Sequence, residues 1–159
     1  MTFPYERVLV TGASGFIGCR VCEHLALAHG ATVRGTYHRP SHAARAARLT
    51  IELVRLDLED EASIAAAVAG CDAVVHCAYG SEGDDRARRA LTGAATGRVA
   101  EAAGQYGVRR FVHCSTVGVH GDIAHPPANE DAPLRPGDVY QRTKLEGERA
   151  AAAAATRTG

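Results

Sequence analysis

Apolar positions in this 159-residue chain fall into short runs, and between the runs they recur at helical spacing. Val8, Leu9 and Val10 make the first run, rich in β-branched residues and short enough for one buried strand. It stops in a turn carrying Gly12, Gly15 and Gly18, beyond which Phe16, Ile17, Val21 and Leu25 follow a helical period. A helix is therefore predicted over about 16–29, ended by Gly30. Further strands are predicted at 31–37, 51–56, 73–77 and 111–115. Helices are predicted after Asp60, a candidate N-cap, over about 84–106 with interruptions at Gly93 and Gly97, and over about 138–155. A basic connection occupies 38–49, and 118–137 reads as a loop rich in glycine, proline and aspartate. Strands that alternate with helices predict an α/β fold, a doubly wound parallel sheet of about five strands with right-handed crossovers.

Composition narrows the partners. Lys plus Arg and Asp plus Glu both count 18, so no basic excess points to nucleic acid or an anionic membrane, and a small molecule is the expected partner. No stretch approaches the roughly 20 apolar residues of a membrane span, and MTFPYERVLV has no leader pattern, so a cytoplasmic location is expected. The five cysteines form no metal or disulfide framework. Cys19 and Cys22 make a CxxC inside the first predicted helix, where both read as packing residues, and Cys71, Cys77 and Cys114 lie in or beside apolar runs as small hydrophobes. The eight histidines are scattered, and no metal site is expected.

The strand, glycine turn and helix at 8–29 suit a dinucleotide. Gly12 can take the φ > 0 geometry of a tight turn, Gly15 lets backbone approach a ligand, and Gly18 lets helix and strand pack closely. Helix N–H groups and the positive end of the dipole then meet a pyrophosphate without any basic side chain. Gly12, Ser14, Gly15, Phe16, Ile17 and Gly18 are the candidate binding residues of this turn. An NAD site usually carries an acidic residue about 20 positions after the first glycine, to bond the ribose 2′-hydroxyl. Here every charged residue between Glu23 and Glu52 is basic, and the second strand ends Tyr37-His38-Arg39. Arginine pairs with a 2′-phosphate through parallel charge-assisted bonds, so His38 and Arg39 point to NADP, with NAD also admitted. The plainer reading is a solvated basic loop. Asp57 and Leu58 follow the third strand, where the carboxylate either accepts from an adenine amino group or caps a turn. Cys77, Ala78 and Tyr79 end the fourth strand, and the small residues there would let a ligand lie across the backbone.

Tyr140 and Lys144 stand four apart on the last predicted helix, hence on one face. A phenol that titrates near 10 needs roughly 4 kcal/mol of differential stabilisation to reach about 7, and a neighbouring ammonium contributes to it. Thr116, just past the fifth strand, offers a hydroxyl to a substrate oxygen. Alone, each residue has an ordinary structural reading. Together, after a dinucleotide turn, they make a candidate catalytic set.

TGASGFIG, Asp57-Leu58, HCA at 76–78, CSTVGVHG at 114–121 and YQRTK at 140–144 together resemble the extended short-chain dehydrogenase/reductase superfamily, the NAD(P)-dependent epimerase/dehydratase group. The resemblance spans almost the whole chain and implies a Rossmann NAD(P)-binding domain over 1–159. It also implies hydride transfer between nicotinamide and a carbonyl or alcohol substrate, with Tyr140 moving the proton, Lys144 assisting and bonding the nicotinamide ribose, and Thr116 in the family's catalytic Ser/Thr place. His120 stands where that family often has tyrosine, and Thr92 where asparagine is usual. Val117 and Gly118 replace the acidic pair of sugar dehydratases, which argues against dehydration. Members continue into a sixth strand and a substrate domain, so the chain is expected to be truncated before them. Apolar surface exposed there would invite a homodimer. Two hypotheses follow: an oxidoreductase or epimerase-like enzyme in partial form, or a non-catalytic NADP-binding module on the same fold.

Overall fold

The computed structural model of the chain describes residues 3–80, 83–123 and 126–158. Five parallel strands, β1 (Arg7–Thr11), β2 (Thr32–Tyr37), β3 (Glu52–Arg55), β4 (Ala73–His76) and β5 (Arg110–His113), form one sheet in the order β3-β2-β1-β4-β5. Chain direction of travel reverses at β1, which pairs with β2 on one side and β4 on the other. Such a switch point opens a crevice beyond the carboxyl ends of the two strands. The predicted strands are all present: β1 is extended at both ends, β2, β3 and β4 are trimmed by one or two residues, and β5 starts one residue earlier and ends two earlier.

Side-chain alternation builds two cores. Val8, Val10, Val33 and Ala73 meet Cys22 and Leu25 of helix α1 (Phe16–His29) on one face. Leu9 and Val74 meet Ile64 and Val68 of α2 (Glu61–Val68) and Val99 and Ala103 of α4 (Ala95–Gln105) on the other. Gly30 ends α1 in the left-handed conformation, φ 63°, and the Asp60 side chain caps α2 by accepting from Ala62 N–H at 2.9 Å.

Three stretches differ from the sequence reading. The basic connection holds a 3-10 helix, Pro40–Arg48, which buries Ala46 against the α1 face. The predicted loop begins with a short 3-10 turn, Val117–His120. The segment 84–106 is not broken at its glycines: α3 (Asp85–Arg88) runs through a π-helical stretch, Arg89–Ala94, into α4. Its glycines serve contact with α5 (Val139–Thr158). A Cβ on Gly93 would stand 3.1 Å from that of Glu146, one on Gly97 3.0 Å from that of Ala150, and one on Gly104 1.9 Å from Thr158 Oγ1. The alanine run belongs to α5, with Ala154 fully buried.

Candidate functional site

A cleft of about 370 Å³ opens at the switch point, and its walls come from the ends of four elements. Of the residues singled out for cofactor binding, Gly12, Ser14, Gly15, His38, Arg39, Asp57, Leu58, Cys77, Ala78 and Tyr79 line it. Gly12 has φ +69° and sits against Ala78, whose Cα would be 2.9 Å from a Cβ at that position. No other residue fits there, on either count. A Cβ on Gly18 would lie 2.2 Å from Gly12 O, so Gly18 holds the turn from beneath rather than facing the cleft. At Gly15 a Cβ would have one near neighbour, Gly12 O at 3.2 Å. Gly15 is also the N-cap of α1, which has no side-chain cap and no acidic residue in its first turn. This open cradle of helix N–H groups fits a pyrophosphate. Phe16 and Ile17 lie outside the cleft with exposed side chains, so their part in the cradle is limited to backbone.

Strand-end hydroxyls that the motif reading passed over fasten the turn. Gly12 N–H donates to Thr36 Oγ1 at 3.2 Å, and Ala78 N–H donates to Thr11 Oγ1 at 3.2 Å, while Thr11 Oγ1 also pairs with His76 Nδ1 at 2.8 Å. Thr36, Tyr37, His42, Leu56, Gly80 and Leu91 complete the cleft wall. Leu91 arrives from the π-helical stretch and crosses Gly80, where a Cβ would clash with Leu91 Cβ at 2.5 Å. A glycine two residues past the strand-end small residues is the signal that would have flagged that crossing. Asp57 lines the cleft, and its Oδ1 accepts from Glu59 N–H at 3.0 Å as a turn cap.

The second group sits beside the cleft. Asp138 Oδ1 accepts from Gln141 N–H at 2.7 Å, which sets the first turn of α5 and so the place of Tyr140. Tyr140 is 39% exposed. One turn on, Lys144 is 3% exposed and its Nζ donates to Cys114 O, at the end of β5, at 2.9 Å. Burial pushes the Lys144 ammonium down from its ordinary pKa, and the Cys114 and Cys77 sulfurs oppose this. Tyr79 joins the groups: its ring meets that of Tyr140 edge-on at 5.1 Å between centroids and lies 5.7 Å from Lys144 Nζ. Tyr140 and Lys144 are therefore neighbours of the cleft wall without lining it. Thr116 caps the 3-10 turn, with Oγ1 accepting from Gly118 N–H at 3.2 Å. Gly118 in turn lies under Gln141, so the Thr116 turn abuts the first turn of α5. His120 tethers the loop through Nδ1 to Ala132 O at 3.0 Å.

Behind this group two rings stack across the strands. His76 and His113 lie 5.7 Å apart, and His76 Nε2 has no hydrogen-bond partner. Burial first, then the charges of His113 and Lys144, hold His76 down at about 3, and burial with Lys144 holds His113 at about 4. Both rings are neutral at physiological pH.

The family model for the NAD dependent epimerase/dehydratase family matches residues 8–159. The chain belongs to this family. Among relatives, sterol demethylase protein B of Methylococcus capsulatus is 35% identical over 146 residues, covering 88% of this chain and 44% of that protein. Cinnamoyl-CoA reductase 1 of Oryza sativa is 40% identical over 138 residues, covering 81% and 39%. A short-chain dehydrogenase/reductase superfamily protein from Agrobacterium tumefaciens, solved with bound NAD, superposes with a TM-score of 0.78 at 36% identity, covering 91% of this chain and 43% of that one. The chain thus spans less than half the length of each of these three. Among the described residues no helix is long and apolar enough to cross a membrane.

Proposed function

We propose that this chain is the cofactor-binding and proton-handling part of an NAD(P)-dependent oxidoreductase or epimerase of the extended short-chain dehydrogenase type, acting on a small carbonyl or alcohol substrate. The observation that carries the reading is the position of Tyr79, which is at once a wall of the cleft and a neighbour of both Tyr140 and Lys144. A nicotinamide bound in that cleft would give or take a hydride at the substrate carbon. The glycine turn and the start of α1 hold the pyrophosphate, and Asp57 and Leu58 border the adenine end. Tyr140, partly exposed in the first turn of α5, gives or takes the proton of the substrate oxygen. Thr116 steadies that oxygen through its hydroxyl. Lys144, anchored on Cys114 O, supplies a buried positive charge one turn from Tyr140 and a donor for the nicotinamide ribose. Val117 and Gly118 offer no carboxylate for a dehydration step, which supports a reductase or epimerase.

The bound NAD of the Agrobacterium protein supports NAD as a cofactor. His38, Arg39 and His42 in the cleft wall, with Asp57 as its one carboxylate among the described residues, support NADP as well, bound the more tightly of the two. Fluorescence titration with NADH and NADPH tests this. NADPH should bind about tenfold tighter, and Arg39→Ala should remove about 1.4 kcal/mol of that preference. Equal or tighter binding of NADH by the unaltered chain would refute the NADP preference, and failure to bind either would refute the function.

A further inference from the structure

The chain brings together two cysteines that stand 37 positions apart in sequence. His76 of β4 is the register partner of His113 of β5, and Cys114 N–H donates to His76 O at 3.0 Å, so the ladder continues one step and sets Cys77 beside Cys114. Side chains alternate along a strand, so both cysteines leave the sheet on the face opposite the two histidines. Neighbouring strands lie about 4.8 Å apart, inside the Cα separation of about 4.4–6.8 Å that a disulfide spans. Both cysteines are half-buried free thiols. Cys77 also lines the cleft. The sequence CxxC, by contrast, is closed off in α1: Cys22 is fully buried, and burial with the nearby Cys19 and Cys77 sulfurs pushes its thiol up to about 12.

We propose that Cys77, in the wall of the cleft, and Cys114, beside it on the next strand, form a redox-active dithiol, which a peroxide converts to a disulfide and which a dinucleotide bound over Cys77 shields. The shielding half rests on the function proposed above; the dithiol does not. Burial and the Cys114 sulfur push the Cys77 thiol up to about 11, so Cys77 keeps its proton at neutral pH, and the first step is assigned to Cys114. Its thiolate attacks hydrogen peroxide: an S–O bond forms, the O–O bond breaks, and the leaving hydroxide takes the thiol's proton as water. Cys77 sulfur then attacks the Cys114 sulfenic acid, the S–S bond forms, the S–O bond breaks, and the departing hydroxide carries off the Cys77 proton as a second water. Two thiols are oxidised by two electrons in all, and one peroxide is reduced to two waters.

The test is to treat the purified chain with stoichiometric hydrogen peroxide and map peptides without reduction. A Cys77–Cys114 linked peptide, lost again with dithiothreitol and absent from both Cys77→Ser and Cys114→Ser, is the expected result. With NADPH at about ten times its Kd, roughly a tenth of the chains remain open and linkage should slow about tenfold. A map showing no such link, or linkage of Cys19 to Cys22 instead, overturns the dithiol. Unslowed linkage by a chain that titration shows to be saturated overturns the shielding. A chain that forms the link but binds neither dinucleotide upholds the dithiol and overturns the function, so the two failures are separable.

Discussion

The two halves of the site are made of different material. At the nucleotide end the surface is mostly backbone: a left-handed Gly12 braced by Thr36, with Ala78 against it held by Thr11, a Gly18 with no room for a methyl group, and an uncapped helix start. At the proton-handling end the surface is side chains on separate elements, Thr116 on a 3-10 turn and Tyr140 and Lys144 on α5, joined by Tyr79. A backbone site depends on a few glycines and leaves little freedom. A side-chain site depends on how deeply one helix sits and is open to adjustment.

Substitutions should separate the halves. Tyr140→Phe is expected to cut turnover of a panel of aldehydes and ketones roughly a thousandfold, about 4 kcal/mol of transition-state stabilisation, while NADPH affinity stays within about twofold. A parallel loss of affinity would show that the two ends are one unit. Gly18→Ala should do the reverse. Its methyl would press on Gly12 O, so urea denaturation should show a loss of about 3 kcal/mol, and titration should show weakened dinucleotide binding.

Acid should act first at the proton-handling end. His76 and His113 titrate in the folded chain at about 3 and about 4, below an ordinary value of 6.5, so the unfolded chain binds more protons across that interval. Their contribution to stability is complete above about pH 6.5 and is lost as pH falls towards the folded values. From about pH 7 to about pH 5 the loss should be about 2 kcal/mol for His76, with a smaller share from the less buried His113. Urea midpoints across this range should show the slope, and His76→Asn should flatten it; an unchanged slope would assign it to other groups. The smallest effect is a control. Asp60→Ala removes the cap of α2, next to the Asp57 turn, and should cost about 1 kcal/mol of stability, read as a shift of the urea midpoint smaller than that of Gly18→Ala.

What the sequence made legible follows the same division. The nucleotide end is written in a contiguous stretch, VLVTGASGFIG, where Gly15 and Gly18 answer to Gly12 and Gly12 takes a positive φ, so the spacing of the glycines made it legible. Tyr140 and Lys144 were visible because a helix places i and i+4 together. The rest depends on contacts distant in sequence. Leu91 reaches the cleft over Gly80, and the dithiol arises from the register of β4 with β5; no local pattern encodes either. Gly93 and Gly97 were misread for the same reason. Glycine in a helical pattern reads as a break, yet here tertiary packing against α5 overrides propensity and makes the missing side chains the point.

That row of glycines makes the π-helical stretch and α4 together a gauge block for the depth of α5. Glu146, Ala150 and Thr158 rest in its hollows, and Lys144 rides on the same helix, so the thickness of α4 sets how far the ammonium reaches towards β5. One added methyl group at Gly97 would act as a shim, pressing on Ala150 and shifting Lys144 against Cys114 O.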